Sequence, residues 1–234
     1  MMNFFANCLT TLSLLFGFIS IIFSLESHFT FASWAIILSV IFDGLDGHVA
    51  RMNPVPSEFG KELDSLVDVV AFGVAPVVLG YIFVYSEFHF WPTVVLFIYL
   101  LCSILRLAKY NITPKEKMQN YFYGLPTTMS GGTLASFILI YRRFTQSPPP
   151  VLFFLLLAAV LAFLMVSRVK YANLDGMKQM FGKSKFLLLL VLLIIAATLF
   201  SFYCFTSVFL PELIVLAIFA IYLIFFPFFL RKFV

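Results

Sequence analysis

Charged residues are scarce in this sequence: only 11% of its 234 residues are Asp, Glu, Lys or Arg, whereas 62% are hydrophobic. A soluble domain of this size could not hide so much apolar surface, which excludes a soluble globular fold. The chain also lacks a block of basic residues, so nothing in it suggests nucleic-acid binding. These absences predict an integral membrane protein with no nucleic-acid partner.

Cysteine is rare as well, and Cys8, Cys102 and Cys204 are widely separated within apolar runs. An odd number of widely spaced thiols provides neither a disulfide framework nor a cysteine metal site, so we expect ordinary core residues. The first apolar run lacks the basic flank and the small-residue cleavage site of a signal peptide. We therefore expect it to be a retained membrane span.

Long apolar runs dominate the rest of the chain. A membrane-spanning helix needs about 20 mostly apolar residues. We predict eight such spans, at residues 4–25, 31–51, 59–84, 89–110, 124–141, 150–169, 186–206 and 208–230. The predicted fold is an all-α, polytopic membrane helix bundle.

Basic residues are distributed unevenly among the predicted connections. All 15 of them except Arg142 and Arg143 fall on one side of the predicted bundle. The positive-inside rule assigns the basic side to the cytoplasm. We therefore predict that both termini and residues 43–68 face the cytoplasm, with Trp34 and Trp91 at the outer interface.

Four aspartates stand out in this apolar chain: Asp43, Asp46, Asp64 and Asp68. Each would cost about 2.5–3.5 kcal/mol at the centre of a bilayer, so such residues indicate function by default. The first two share one face of a helix that continues from the second span, and the last two share one face of the third span. Prolines between the helices allow an antiparallel return, which predicts that the two acidic faces meet.

Carboxylates crowded in an apolar pocket repel one another unless they are protonated or neutralised. Two divalent cations would cancel four negative charges, and oxygen ligands suit Mg²⁺ or Mn²⁺. Such a pair of ions can bridge a diphosphate and stabilise charge during phosphoryl transfer. Gly47, Ala50 and Gly60 leave room beside the carboxylates, and Arg51 is placed to contact phosphate oxygens.

Two other interpretations stay open at this point. Asp43-Gly44 and Asp46-Gly47 could be ordinary turn dipeptides, although that leaves the spacing of Asp64 and Asp68 unexplained. A cation- or proton-coupled transporter also uses carboxylates inside the membrane. A transporter site, however, is expected at the bilayer midplane between repeated halves, and no such repeat is visible.

The spacing of these residues resembles a family signature. The CDP-alcohol phosphatidyltransferase pattern is matched at every fixed position by Asp43-x-x-Asp46-Gly47-x-x-Ala50-Arg51, eight residues, then Gly60-x-x-x-Asp64-x-x-x-Asp68. Within that family the chain looks most like membrane-embedded phosphatidylserine synthases, in residues 60–81, 104–111, 121–131 and 164–171. Relatives often carry Asn-x-x-Thr-x-x-Asn in the first span, where this chain has Asn7, Thr10 and Ser13.

The resemblance implies a metal-dependent reaction of CDP-diacylglycerol with L-serine that gives phosphatidylserine and CMP. It implies a six-helix catalytic core within residues 1–171, followed at 172–234 by a basic cytoplasmic loop and two extra membrane helices. A homodimer in the inner membrane of a bacterial-type cell, with its active site facing the cytoplasm, is also implied. The substrates and the membrane lipid are the expected partners.

Residue roles follow from the same resemblance. One or two divalent ions, Mg²⁺ or Mn²⁺, would be held by Asp43, Asp46, Asp64 and Asp68. Asp68 would also be the general base that takes the proton from the serine hydroxyl. The CDP moiety would be bound by Thr10, Asp46, Gly47, Ala50, Arg51 and Gly60.

The acceptor serine carries a carboxylate and needs its own basic residue. Arg106 and Lys109 lie at the cytoplasmic end of the fourth span, level with the acidic residues, although both could simply be topology-determining cations that reach the head groups. Asn111 is a further candidate, from a segment that resembles the serine-specific relatives. The same chemistry with glycerol 3-phosphate or inositol phosphate as acceptor is the nearest alternative function.

Overall fold

The computed structural model describes residues 2–52, 57–84, 90–112, 121–145, 147, 149–172 and 211–230. These residues are mostly helical, which confirms the prediction of a helical fold. The helices, in chain order, are α1 (Met2–Leu25), α2 (Phe29–Met52), α3 (Glu58–Asp68), a π-helical segment (Val69–Val74), α4 (Ala75–Phe83), α5 (Phe90–Ile112), α6 (Thr127–Phe144), α7 (Val151–Val166) and α8 (Pro211–Leu230).

Four helical stretches among the described residues are long and apolar enough to cross a membrane: Asn3–Leu25, Phe29–Ala50, Glu58–Phe83 and Phe90–Ile112. They coincide with the first four predicted spans to within a few residues. Helices α6, α7 and α8 occupy the predicted fifth, sixth and eighth spans, whereas the predicted seventh, 186–206, lies outside the described residues. The count of eight spans and the cytoplasmic termini therefore stay predictions.

Helices α1 and α2 form a hairpin around a turn at Ser27, which has a positive φ of 60°. Serine side chains join the two helices at the middle of the hairpin. The hydroxyl oxygens of Ser13 and Ser39 lie 2.7 Å apart, and each hydroxyl also approaches the other residue's carbonyl oxygen. Ser13, where relatives often carry asparagine, thus serves here to join α1 to α2.

The third span is a continuous helix whose middle widens into the π-helical segment directly after Asp68. Gly17 of α1 approaches this segment so closely that a Cβ at Gly17 would lie 2.8 Å from the Cα of Ala71. From the other side, the buried hydroxyl of Tyr99 donates a hydrogen bond to the carbonyl oxygen of Phe72 over 3.4 Å. π-helical turns are rare and often occur at functional sites. Here, packing from two helices holds the segment beside an acidic residue.

Two short strands depart from the purely helical prediction. Strand β1 (Tyr121–Tyr123) pairs antiparallel with β2 (Lys170–Ala172), with Phe122 opposite Tyr171. Each strand is only three residues long, too short for an alternating pattern to be recognised in the sequence. They pair because the antiparallel helices α6 and α7 return the chain to the same end of the bundle.

The cysteine prediction is only partly right. Cys8 is exposed on α1 and Cys102 is half-buried on α5, so Cys8 is not a core residue. Cys204 lies outside the described residues. In an apolar bundle a cysteine can face outward at little cost, because the environment expected there is itself apolar.

Gly17→Ala should lower the stability of the bundle, because the new methyl group would be forced against the backbone of Ala71. Overpacking of this kind costs about 1–3 kcal/mol. Gly44→Ala is the matched control, since nothing lies within 4 Å of a Cβ at Gly44. That control should be neutral or slightly stabilising, as alanine is favoured over glycine in helices. Thermal unfolding of both variants in detergent checks this, and equal midpoints would contradict the described packing.

Candidate functional site

The structure brings three of the four aspartates together, as their helical spacing predicts. Asp43 on α2 meets Asp64 and Asp68 on α3, and one carboxylate oxygen from each lies within 4.8 Å of the other two. The carboxyl groups of Asp43 and Asp68 are within hydrogen-bonding range of each other. Asp68 is buried, whereas Asp43 and Asp64 are half-buried. We call these three residues the acidic cluster.

Three negative charges at this separation need compensation. Two unit charges 4.8 Å apart repel by about 3–4 kcal/mol at an effective dielectric constant near 20. The buried Oδ1 atom of Asp68 has no hydrogen-bond partner in the structure, which is costly for a polar atom. A cation bound among the three carboxylates would remove both costs. The oxygen donors therefore fit a divalent metal ion.

Asp46 lies apart from the acidic cluster, although sequence spacing groups it with the other three. It is buried beside Thr10 of α1, and its Oδ2 atom has no hydrogen-bond partner. The Thr10 hydroxyl donates to the carbonyl oxygen of Ala6 over 3.1 Å. Asp46 still lies within electrostatic range of Asp43 and Asp64. Its carboxylate is thus placed between the cluster and the cavity described next.

A cavity of about 580 Å³ opens beside the acidic cluster, between α1, α2 and α3. Of the residues predicted to bind CDP, it is lined by Thr10, Asp46, Gly47, Ala50 and Gly60. The side chain of Arg51, the sixth, lies outside the described residues. Asp64 reaches the same cavity from the acidic cluster. The predicted nucleotide residues therefore share one cavity with a possible metal ligand.

The wall opposite α2 includes two residues that the sequence analysis did not assign to the site, Asn3 and Asn7. Together with the predicted Thr10, they line this cavity from α1. Their spacing puts them on one face of the helix, and polar residues repeated on one face of an apolar span were the available signal. Asn7 also explains Gly60, because a Cβ at Gly60 would lie 3.0 Å from the Asn7 Oδ1 atom.

A second cavity, of about 280 Å³, lies on the α5 side of the bundle. It is lined by Leu105, Arg106, Lys109, Tyr110, Tyr123, Met165 and Val166. Two of the three predicted acceptor residues, Arg106 and Lys109, thus lie in one cavity. Tyr110 lines both this cavity and the larger one. We call the larger space, which is lined by the predicted CDP residues, the nucleotide cavity, and the smaller one the Arg106 cavity.

Arg106 is held between the second cavity and the acidic cluster. Its Nη1 atom donates a hydrogen bond to the Thr127 hydroxyl over 3.3 Å, and its guanidinium lies 5.4 Å from the centre of the Tyr110 ring. Attraction between unlike charges links Arg106 to Asp43 and Asp68. A guanidinium beside an acidic cluster can both balance its charge and bind an incoming anion.

Asn111, the third predicted acceptor residue, is placed differently. Its side-chain amide donates a hydrogen bond to the Ser65 hydroxyl over 2.8 Å, and its backbone carbonyl oxygen accepts one from the Lys61 side chain over 3.1 Å. It is not among the residues that line the Arg106 cavity. In this position Asn111 joins the end of α5 to α3.

The turn before α6 follows Tyr123, which lines the Arg106 cavity, and leads to Thr127. Gly124 has a positive φ of 82°, which favours glycine, and its N–H donates to the carbonyl oxygen of Val169 over 2.8 Å. Thr127 follows as the first residue of α6 and is fully buried against Arg106. The sequence analysis did not single out Thr127, Tyr110 or Tyr123, because none belongs to the acidic pattern and threonine and tyrosine are common in membrane helices.

The amino-acid sequence is similar to those of known proteins. The family model described as CDP-alcohol phosphatidyltransferase matches residues 3–166. A Helicobacter pylori protein named CDP-diacylglycerol–serine O-phosphatidyltransferase is 32% identical over 190 residues, which cover 81% of this chain and 79% of that protein. A Methanothermobacter thermautotrophicus protein named archaetidylserine synthase is 33% identical over 168 residues, which cover 69% of this chain and 66% of that protein.

A further relative, from Methanocaldococcus jannaschii, is also named CDP-diacylglycerol–serine O-phosphatidyltransferase and is 37% identical over 136 residues, 58% of this chain and 61% of that protein. The match to the family model includes both acidic helices, the helix that carries Arg106 and the turn that precedes Thr127. It extends over more than half of the sequence. The chain therefore belongs to the CDP-alcohol phosphatidyltransferase family.

Proposed function

We propose that this protein transfers the phosphatidyl group from CDP-diacylglycerol to L-serine, which gives phosphatidylserine and CMP. The observation that supports this most directly is the position of the acidic cluster, which has the nucleotide cavity on one side and Arg106 on the other. Relatives named for serine transfer support the choice of acceptor.

The nucleotide cavity is proposed to bind the CDP moiety. Gly47, Ala50 and Gly60 offer backbone without bulky side chains, so a phosphate or ribose can approach the helices closely. Thr10 and Asn7 supply hydroxyl and amide groups on the facing wall. Arg51 is proposed to contact phosphate oxygens, as its place in the signature indicates.

The proposed metal site consists of Asp43, Asp64 and Asp68, with Asp46 directed toward the nucleotide side. When bound there, one or two divalent ions, Mg²⁺ or Mn²⁺, would neutralise the carboxylates and stabilise the charge of the diphosphate and of the departing CMP. The unpartnered Oδ1 of Asp68 and Oδ2 of Asp46 are the atoms that most need such a partner.

Asp68 is proposed to act as the general base. The serine hydroxyl oxygen forms a bond to the phosphatidyl phosphorus, the bond from that phosphorus to the CMP oxygen breaks, and Asp68 takes the hydroxyl proton. A carboxylate in water is a weak base, but Asp68 is buried beside two other carboxylates. General-base catalysis depends first on position, and α3 and the π-helical segment hold the Asp68 carboxylate in a fixed place.

Arg106 is proposed to bind the serine carboxylate. Its fork of N–H donors can hold a carboxylate in a bidentate manner, and Thr127 and Tyr110 restrict its orientation. Lys109 adds a second positive charge to the same cavity. A cavity of about 280 Å³ suits a small amino acid, whereas a phosphorylated acceptor would call for a larger basic site.

We place the reaction at the cytoplasmic face of a bacterial-type inner membrane, because the predicted topology puts the acidic cluster on the side rich in Lys and Arg. Serine would enter from the cytoplasm and CDP-diacylglycerol from the bilayer. Residues 1–171 form the proposed catalytic core, residues 172–234 the proposed extension, and a homodimer is proposed from the family resemblance.

Purified protein should release CMP from CDP-diacylglycerol only when serine and a divalent ion are both present. Chelation with EDTA should abolish the release, and added Mn²⁺ or Mg²⁺ should restore it, because the acidic cluster is proposed to hold the ion that balances its charge and binds the diphosphate. Parallel reactions with glycerol 3-phosphate and inositol phosphate provide the comparison. Release with one of these and not with serine would overturn the serine assignment, and folded protein that releases no CMP with any acceptor would favour a transporter.

Asp68→Asn should reduce turnover by roughly 10²–10⁴-fold, the usual contribution of a general base, while CDP-diacylglycerol still binds. Asp43→Asn and Asp64→Asn should mainly weaken metal-dependent nucleotide binding. Turnover is followed by CMP release and binding by isothermal calorimetry. Glu26→Gln is the matched control, because this exposed carboxylate pairs with His28 near the α1–α2 turn and does not belong to the acidic cluster. Unchanged turnover in the Asp68 variant would refute the assignment of the base.

Arg106→Lys should raise the KM for serine by about tenfold, since lysine keeps the charge but loses the bidentate fork and the hydrogen bond to Thr127. The KM for CDP-diacylglycerol should change little. Arg143→Lys, an exposed position at the other end of α6, is the matched control. Asn111→Ala tests the remaining acceptor candidate: a raised KM for serine supports a binding role, whereas a lower unfolding midpoint alone supports its link to α3. An unchanged serine KM in the Arg106 variant would contradict the proposed carboxylate site.

A further inference from the structure

Helix α8 is an integral part of the bundle, although the sequence analysis found no function for the C-terminal extension. It packs against α6, which begins at Thr127, and against β2, which pairs with β1 just before that residue. The ring of Phe219 is buried against Gly132 of α6, where even a single Cβ would collide with the ring. The fit at Gly132 fixes α8 close to Thr127, the hydrogen-bond partner of Arg106.

Tyr222 lies one turn after Phe219 and contacts the two-stranded ribbon. Its ring stacks on that of Tyr171, with the ring centres 5.8 Å apart and the planes inclined by 17°. Tyr171 is fully buried and lies opposite Phe122 in the β1–β2 pair. The next residue of β1, Tyr123, lines the Arg106 cavity. The stack therefore connects α8 to one wall of that cavity.

Tyr222 also lies close enough to Arg106 for the two side chains to interact electrostatically. The Tyr222 hydroxyl is within electrostatic range of the Arg106 guanidinium, as are Asp43, Asp68 and Tyr110. A phenol can accept a hydrogen bond from a guanidinium and can donate one to a carboxylate. An arginine side chain has many rotamers, so its orientation depends on the groups around it. Those groups include Thr127 and Tyr110 from the core and Tyr222 from the extension.

We propose that Tyr222 is a positioning residue for the acceptor site, through which helix α8 completes the pocket that binds the amino acid. This inference rests on the proposed function, in which Arg106 binds the acceptor carboxylate. The ring of Tyr222 supports the ribbon through Tyr171, and its hydroxyl helps to orient Arg106. The C-terminal extension thereby takes part in acceptor recognition, whereas the nucleotide cavity is lined mainly by α1, α2 and α3.

The test compares Tyr222→Phe and Tyr222→Ala with the unmodified protein in the CMP-release assay, with serine and CDP-diacylglycerol varied in turn. Tyr222→Phe keeps the stack on Tyr171 and should raise the KM for serine about threefold to tenfold, the effect of one lost polar interaction. Tyr222→Ala should raise it further. The KM for CDP-diacylglycerol should stay within twofold in both. Ile218→Ala, an exposed position on the same helix, is the matched control and should leave both KM values unchanged.

A serine KM within twofold of the unmodified protein in Tyr222→Phe would overturn the inference. Proportional increases in both KM values would also overturn it, because they indicate a general loss of structure. If Tyr222→Ala does not fold, Tyr222→Phe alone decides. CMP release by the unmodified protein distinguishes a failure of the proposed function from a failure of this inference. If the release does not depend on serine, both are wrong. If it does, the Tyr222 variants test the inference alone.

Discussion

Mutual repulsion among Asp43, Asp64 and Asp68 is the constraint on which the rest of this structure depends. One oxygen from each carboxylate lies within 4.8 Å of the others, in a bundle made almost entirely of apolar side chains. Such an arrangement persists only if packing forces it and if a positive charge balances it. Arg106 supplies part of that charge, and a divalent ion is proposed to supply the remainder. The site is therefore costly for folding, and the same concentration of charge is what the proposed binding of a metal and a diphosphate requires.

Packing around the acidic helices explains how the cost is met. The π-helical segment after Asp68 is held by Gly17 on one side and by the Tyr99 hydroxyl on the other. Ser57 begins α3, with its hydroxyl accepting a hydrogen bond from the Gly60 N–H. Both ends of α3 are thus anchored, so its carboxylates cannot move apart without disturbing several helices.

The two cavities beside the acidic cluster are formed by different helices. The nucleotide cavity is formed mainly by α1 together with α2 and α3, the two helices that carry the family signature. The Arg106 cavity is formed by α5, the end of α7 and the ribbon, with α8 packed behind the ribbon. An acceptor pocket built from separate segments could change its specificity while the signature is kept, because acceptor and nucleotide are proposed to bind to different side chains.

By itself, the sequence determined the membrane class, the approximate bounds of most helices and the meeting of two acidic faces, because long apolar runs and helical periodicity are local properties. It also grouped the predicted CDP residues. All of them line one cavity except Arg51, whose side chain lies outside the described residues. Only the tertiary structure separated Asp46 from the other aspartates, joined Asn111 to Ser65, and brought Thr127 and Tyr222 close to Arg106. Those placements depend on how helices far apart in the chain pack and rotate against one another, and neither spacing nor hydropathy contains that information.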